Sequence, residues 1–218
     1  MTTDSARLAV ARSDAYRLLA ACFYEPDQEL FLAEKLGANL AALMTEMAVP
    51  AGDPCQRLAE GLGATSQEEL FLEYTALFLG PFGAPAHPYG SVYLEPTRQL
   101  MGDSTMVVKR MYQEAGIVPE DEGPPDHIAL ELEFMSYLAG RTAQAVANGD
   151  EAAVADLSRR QREFYPRCLA PWTTSFGDAI RANAQLPFYR ALADCLVTFI
   201  AAEPRHLEEM ATTPAPTA

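Results

Sequence analysis

Cysteine and histidine are scarce in this sequence, and the few present are not spaced as metal or redox ligands. The four cysteines form no C-x-x-C pair and have no histidine beside them, which excludes a redox dithiol and the common zinc sites. One histidine, His206, stands three residues after a glutamate, Glu203, but di-iron helical bundles carry this Glu-x-x-His spacing on two helices, and the sequence has no second copy of it. We therefore expect no cofactor and no metal, and we expect the cysteines at positions 22, 55, 168 and 195 to be small buried apolar residues.

Long apolar runs are also missing. No stretch of about 18 apolar residues could span a bilayer, which argues against stable membrane insertion. The first 25 residues carry Asp4 and Asp14 among apolar positions, and they lack the basic segment and the small-residue cleavage site of a signal peptide. We expect a soluble, cytoplasmic protein.

Basic residues are few: 16 Lys and Arg stand against 30 Asp and Glu, for a formal net charge of -14. This charge opposes nucleic-acid phosphates and anionic membranes, so we expect no nucleic-acid partner. It favours either a cationic partner or simple solubility. Seven acids and no Lys or Arg lie between Met111 and Gly140, which predicts an acidic surface around one hinge.

Alternation of apolar and polar residues, which is typical of strands, does not occur over any run of strand length. Most segments instead repeat their apolar residues with the period of a helix. The stripe that begins at Ile128 recurs at i+4, i+7 and i+11, which predicts a long core-facing helix. The sequence therefore predicts an all-α fold, one domain of about ten helices at residues 1–211, and a disordered tail at 212–218.

Local start and stop signals divide this helical sequence. Ser66 and Glu69 have the spacing of a capping box, which predicts the start of a helix. The same kind of signal predicts a first helix that ends before Pro26, a second from Gln28 to Met47, and another that Asp103 caps and Gly116 ends.

The segment between residues 80 and 90 contains three prolines and three glycines, so it cannot continue a regular element. It has no Lys-Ser/Thr pair and no preceding strand, which excludes a phosphate-binding P-loop. Two interpretations remain. The segment is either a loop that stops a helix or the wall of a groove whose aromatic residues, Phe82, Tyr89 and Tyr93, meet a partner.

Asp126 and His127 are an acid and an imidazole next to each other in the chain. Adjacent positions on a helix diverge by about 100°, so these two side chains cannot form a catalytic dyad. The structural interpretation is that Asp126 either caps the helix that starts after Pro125 or stabilises that helix start electrostatically, while His127 hydrogen-bonds to nearby backbone. A catalytic interpretation would pair His127 with Glu131, but no nucleophile stands in a recognisable setting.

Several motifs together resemble the TorD/DmsD/NarJ family of cytoplasmic chaperones that mature molybdenum enzymes. The matching residues are Tyr74-x-x-Leu77-Phe78-x-Gly-Pro, Pro88-x-x-Ser91-Val-Tyr93, and Pro-Asp126-His127 followed by Glu131-Leu-x-Phe-Met. The segments 17–27 and 164–180 extend the resemblance over most of the chain. Two positions depart from it, since many members have Trp in place of Tyr89 and His in place of Cys168.

The resemblance implies a TorD-like fold and a protein that is not an enzyme. It implies binding of the twin-arginine signal peptide, or the apo-form, of a molybdopterin oxidoreductase, which delays export and assists cofactor insertion. Such a leader has a cationic end and an apolar segment, so its receptor needs an acidic rim beside an apolar groove. The predicted peptide-binding residues are Tyr74, Leu77, Phe78, Pro88, Tyr89, Ser91, Tyr93, Glu122, Asp126, His127 and Glu131.

Two other functions remain open from the sequence. One is a permanent structural subunit of a redox complex, and the other is a helical hydrolase that uses His127. Some relatives exchange helices between chains, and the loops at residues 80–90 and 116–125 would permit a swapped homodimer here.

Overall fold

The computed structural model of the chain describes residues 3–80, 83–118 and 123–212. Within these residues the regular elements are helices, which confirms the predicted all-α fold of about ten helices. The α-helices are α1 (Thr3–Ala21), α2 (Gln28–Ala33), α3 (Leu36–Glu46), α4 (Gly52–Gly63), α5 (Gln67–Tyr74), α6 (Gly90–Leu94), α7 (Asp103–Glu114), α8 (Ile128–Asn148), α9 (Glu151–Phe164), α10 (Ala170–Asn183) and α11 (Pro187–Thr212). Two π-helical segments, Thr75–Leu79 and Tyr165–Leu169, continue α5 and α9. Of the predicted tail, residues 213–218 lie outside the described residues.

Two helices match their sequence signals closely. The predicted apolar stripe of α8 is buried, and Gly149 just beyond the helix has the left-handed φ of 69° that favours glycine as a C-terminal cap. α5 begins with the predicted capping box. The Ser66 hydroxyl accepts the Glu69 backbone N–H, and the Glu69 carboxylate accepts the Ser66 backbone N–H.

Two predicted elements are wrong. The expected helix from Gln28 to Met47 is interrupted at Lys35, whose left-handed φ of 47° separates α2 from α3. Asp103 does not cap α7, because the carboxylate of Glu95 in the preceding loop accepts both the backbone N–H (2.7 Å) and the hydroxyl (2.6 Å) of Ser104. A nearby acceptor from another segment has replaced the local cap.

Two helices were not predicted. α4 begins within residues 50–54, a segment with two prolines and a glycine, and Pro54 lies in the first turn of the helix, where a missing N–H costs nothing. α6 has five residues and begins at Gly90, where the segment rich in helix breakers ends. The error at α4 comes from treating proline as a breaker irrespective of its position in the helix.

α1 and α8 form a central pair that runs antiparallel. The Ser13 hydroxyl donates to the Ser136 carbonyl (2.9 Å), and the Ser136 hydroxyl donates to the Ser13 carbonyl (2.8 Å). At Gly140 a Cβ would lie 3.0 Å from Ser13 Oγ, so small residues permit this close approach. The chain after α1 therefore meets the start of α8, where Tyr24 stacks against His127.

Aromatic rings fill the core beside this pair. Phe176 of α10 contacts Phe23, Phe78 and Trp172 at centroid distances of 5.5, 6.0 and 5.4 Å. The four cysteines are buried and free, as predicted. None of the helices in the described ranges combines the length and the apolarity needed to cross a bilayer.

A buried ionic network joins α1, α9 and α11. Arg12 donates to Glu203 from Nε (3.1 Å) and from Nη2, and Nη2 also donates to the side-chain oxygen of Gln161 (2.8 Å). Burial alone would raise the pKa of Glu203, but the charge of Arg12 and hydrogen bonds from His206 and Arg12 hold that pKa below its ordinary value. The negative charge of Glu203 is therefore balanced by the positive charge of Arg12 and by these hydrogen bonds.

Candidate functional site

A short backbone bridge joins two segments that are distant in sequence. Tyr89 and His127 form an isolated antiparallel bridge, in which Ile128 N–H donates to the Pro88 carbonyl (2.8 Å). Gly90 N–H donates to the Asp126 carbonyl at 2.9 Å. The bridge fixes the loop before α6 against the chain that enters α8, so the two sequence motifs become one surface.

The Asp126 carboxylate points inward and supports α6 instead of α8. Its Oδ2 accepts the Ser91 backbone N–H at 2.7 Å, and the residue is 1% exposed. His127 occupies the N-cap of α8, where Nδ1 accepts the Ala129 backbone N–H at 3.2 Å. The prediction that Asp126 caps α8 is wrong because the bridge turns its side chain towards α6, whereas the predicted contact of His127 with nearby backbone is confirmed.

Glu131 is also buried, with 1% exposure, and its Oε2 accepts the indole N–H of Trp172 at 3.2 Å. Burial raises its pKa well above the ordinary value; the hydrogen bond from Trp172 opposes this effect, and the negative charge of Asp126 adds to it. The predicted acidic surface is therefore wrong for Asp126 and Glu131. These two carboxyl groups lie beneath the surface, close enough to interact.

Above these buried groups lies a small aromatic surface, which we call the Tyr–His cluster, made of Tyr24, Tyr89 and His127. The His127 ring stacks on Tyr24 with centroids 6.2 Å apart and meets Tyr89 edge-on at 5.1 Å. Because Nδ1 of His127 accepts a hydrogen bond, the neutral ring carries its proton on Nε2. The cluster thus presents aromatic faces beside an imidazole ring.

Acidic groups border the Tyr–His cluster, and one of them, Glu133, is among the seven acids from which the sequence predicts an acidic surface. Glu133 accepts a hydrogen bond from Tyr24; burial raises the pKa of Glu133, and this hydrogen bond lowers it. Burial raises the pKa of Tyr74, and electrostatic interaction with Tyr89 and Glu25 raises it further. Carboxylates beside aromatic faces provide an environment that favours a cation.

An open groove of about 750 Å³ continues from Glu25 along α2. Its lining includes the carboxylates of Glu25, Asp27 and Glu29 and the apolar side chain of Leu32. We call this feature the acidic groove. The sequence predicts an acidic rim near α8. The structure has an acidic rim in a different place, the turn between α1 and α2.

The structure places the predicted site residues in two layers. At or near the surface, half-buried, are Tyr89, His127 and Tyr93, and Tyr93 stacks on Trp172 with centroids 5.5 Å apart. Buried beneath or behind this surface are Tyr74, Leu77, Phe78, Pro88, Ser91, Asp126 and Glu131. Glu122 and Phe82 lie outside the described residues.

Sequence reasoning missed Tyr24, Glu25 and Glu133 as site residues. Their position follows from the antiparallel pairing of α1 with α8, which local patterns do not reveal. A signal was present in the segment 17–27, which carries part of the family resemblance. Among the described residues no group of three or more His, Cys, Asp or Glu side chains is arranged to hold a metal ion.

Comparison with known proteins finds relatives at the level of sequence. Residues 44–178 match the family model of the nitrate reductase delta subunit. The Tat proofreading chaperone DmsD of Salmonella typhimurium is 31% identical over 129 residues, which are 58% of this chain and 56% of that protein. The chaperone protein TorD of Aliivibrio fischeri is 30% identical over 155 residues, which are 68% of this chain and 71% of that protein. The match thus spans little more than half the length of the DmsD relative.

Comparison with solved structures supports the fold. A protein of Archaeoglobus fulgidus, described as a redox enzyme maturation protein, superposes with a TM-score of 0.55 at 22% identity. The match covers 87% of this chain and 93% of that protein. At this level of identity the likeness concerns the fold alone.

Proposed function

The chain belongs to the nitrate reductase delta subunit family, and we propose that it is a system-specific chaperone for a molybdopterin oxidoreductase. It binds the twin-arginine signal peptide, or the apo-form, of that enzyme. Binding assists insertion of the cofactor and delays export until the enzyme has folded. The relatives are chaperones by name, and we assign this chain no catalytic activity of its own.

The observation that carries this proposal is that the acidic groove begins at Glu25, the residue that follows Tyr24 of the Tyr–His cluster in the chain. A twin-arginine leader has two guanidinium groups followed by an apolar segment. Guanidinium groups bind carboxylates and stack on aromatic faces. Glu25, Asp27 and Glu29 supply the carboxylates, and Tyr24 and Tyr89 supply the faces.

In this proposal the buried residues of the predicted site do not contact the peptide but hold the contacting residues in place. Asp126 and Glu131 hold the Tyr89 loop and Trp172 in place through the Ser91 N–H and the indole N–H. Leu77 and Phe78 support the surface from the core. We assign direct peptide contact to Tyr89, His127 and Tyr93, and we add Tyr24.

The cellular location follows from the enzyme that the chain is proposed to bind. A leader is held back before export, so we propose a cytoplasmic location and no stable insertion into the membrane. A homodimer formed by exchange of helices remains part of the proposal. Light scattering on the freshly purified protein tests it by measuring the molar mass.

A calorimetric titration with synthetic leaders tests the proposal. One peptide carries the arginine pair and the apolar segment, a second has lysines in place of the arginines, and a third has the apolar segment replaced by Ser and Gly. We expect the first to bind, with one component of affinity that salt weakens and another that salt leaves nearly unchanged. We expect the second to bind more weakly, because lysine cannot make bidentate contacts with a carboxylate.

Pull-down from extract of its own cells extends this test to the whole client. We expect an apo-form molybdopterin subunit to co-purify. Recovery of the protein in stoichiometric complex with the mature, cofactor-loaded enzyme would instead support a permanent structural subunit. Folded protein that binds neither the leader nor the apo-subunit would contradict the proposal.

A further inference from the structure

A second cavity, of about 170 Å³, lies among α1, α8 and α9 near the end of α11. Its walls include the aliphatic side chains of Leu8, Ala9, Val146 and Val154. Counted along α8 at about 1.5 Å per residue, Val146 is roughly 28 Å from His127. This cavity is therefore separate from the Tyr–His cluster.

The buried polar groups that line this cavity differ in their bonding. Arg12 is bonded to Glu203 and Gln161. The Thr142 hydroxyl donates to the Leu138 carbonyl (2.8 Å) and accepts from Gln161 (3.0 Å). The Ser158 hydroxyl is 2% exposed and has no hydrogen-bond partner among the described residues.

A buried hydroxyl group without a partner is costly, and native proteins satisfy most such groups. Ser158 can both donate and accept, so a ligand that brings one hydroxyl would satisfy it. The aliphatic walls would hold the apolar body of the same ligand. In size the cavity is comparable with apolar cavities of about 150 Å³ that bind benzene.

Charge argues against an anionic ligand. The guanidinium of Arg12 is already neutralised by Glu203, so it offers little attraction to an anion. The exposed carboxylates of Asp4 and Glu209 border the cavity and repel one. A neutral molecule meets neither difficulty.

We propose that this cavity is a binding site for a compact neutral molecule with an apolar body and one hydroxyl group, which bonds to Ser158. The site lies at the junction of α1, α8 and α9. Nothing in the proposed chaperone function requires it, and its test is independent of peptide binding.

The test uses three probes of nearly equal size: phenol, toluene and benzoate. Each is titrated into the full chain while backbone amide resonances are followed by NMR. We expect phenol to bind about fivefold more tightly than toluene, the ratio that one neutral hydrogen bond gives. We expect benzoate to produce no saturable shifts. The shifted amides should surround Ser158 and leave Tyr89 unchanged.

Two variants assign the effect to the cavity. Ser158→Ala removes only the hydroxyl group, and it should bring the affinity of phenol down to that of toluene. Val154→Phe fills the space and should abolish binding of both, with circular dichroism as the check on folding. Equal affinities for phenol and toluene in the native chain, or phenol shifts centred on Tyr89, would overturn the proposal. So would an unchanged phenol preference in Ser158→Ala, a variant that does not depend on the outcome for Val154→Phe.

Discussion

Among the described residues, buried carboxyl groups lie in two places, and their surroundings differ. Glu203 meets the charge of Arg12, so its pKa lies below the ordinary value. Asp126 and Glu131 lie beneath the Tyr–His cluster, where their hydrogen bonds come from a backbone N–H and an indole N–H. Burial and the charge of Asp126 raise the pKa of Glu131.

From this difference we infer that the Arg12–Glu203 pair stabilises the fold, whereas Asp126 and Glu131 position the residues of the surface above them. The Arg12–Glu203 pair ties α1 to α11, and a paired buried charge is tolerated for that reason. Buried carboxyl groups without a cation are costly, so their presence needs another reason. Asp126 holds the start of α6 beside Tyr89, and Glu131 holds Trp172, on which Tyr93 stacks; the geometry of this surface is that reason.

The largest loss of stability is expected at the Arg12–Glu203 pair. Glu203→Gln leaves the Arg12 charge buried with a neutral partner, and we expect a loss of about 3–5 kcal/mol in the free energy of unfolding. Replacing both residues by apolar side chains, Arg12→Met with Glu203→Leu, should recover most of that loss. Urea denaturation measures both variants. A loss below about 1 kcal/mol in Glu203→Gln would contradict compensation as the role of this pair.

At Glu131 we expect the opposite effect: a side chain that cannot ionise should raise the free energy of unfolding. Its folded-state pKa is raised, so its contribution to stability is present below the ordinary value of 4.5 and is lost as pH rises towards the folded-state value. Glu131→Gln keeps an acceptor for the Trp172 N–H and cannot ionise. We expect this variant to be more stable than the native chain at pH 8 and to differ less at pH 4.

Urea denaturation at several pH values checks this prediction. The relevant quantity is the difference in free energy of unfolding between the two chains, since other carboxylates titrate equally in both. A difference that does not grow with pH would mean that Glu131 is ionised in the folded protein.

The third and smaller effect concerns Asp126. Asp126→Ala leaves the buried Ser91 N–H without its acceptor, which should cost about 1–3 kcal/mol. Asp126→Asn retains an acceptor oxygen and should cost less. If Asp126 acts by position, the Asn variant keeps its affinity for the leader in calorimetry. A large loss of affinity in the Asn variant, with stability retained, would show that the charge of Asp126 meets the peptide.

The fold could be predicted where the determining signal is local. α8 has a long apolar stripe and the start of α5 has a capping box, and both appear in the structure. The break at Lys35 depends on one left-handed residue, which periodicity does not detect. The acceptor for the start of α7 comes from Glu95, in a loop that the sequence does not bring near.

The candidate site shows the same limit. The motifs around Tyr89 and His127 are visible in the sequence, and the bridge between them is not. Burial of Asp126 and Glu131 depends on Trp172 and on the start of α6, so their charges alone suggested a surface. Tyr24 enters the site only through the packing of α1 against α8.

Leader affinity in three matched variants tests the central claim most directly. Tyr89→Ala removes a ring of the Tyr–His cluster, and Tyr137→Ala removes a ring that is 36% exposed further along α8. Ser66→Ala removes the cap of α5 and should cost about 1 kcal/mol of stability.

Calorimetry with the arginine-pair leader, on variants shown to be folded by circular dichroism, gives the comparison. We expect Tyr89→Ala to weaken binding at both low and high salt, while Tyr137→Ala and Ser66→Ala bind as the native chain does. Equal affinity in all three variants would contradict the account, because it would place the peptide on another face of the protein.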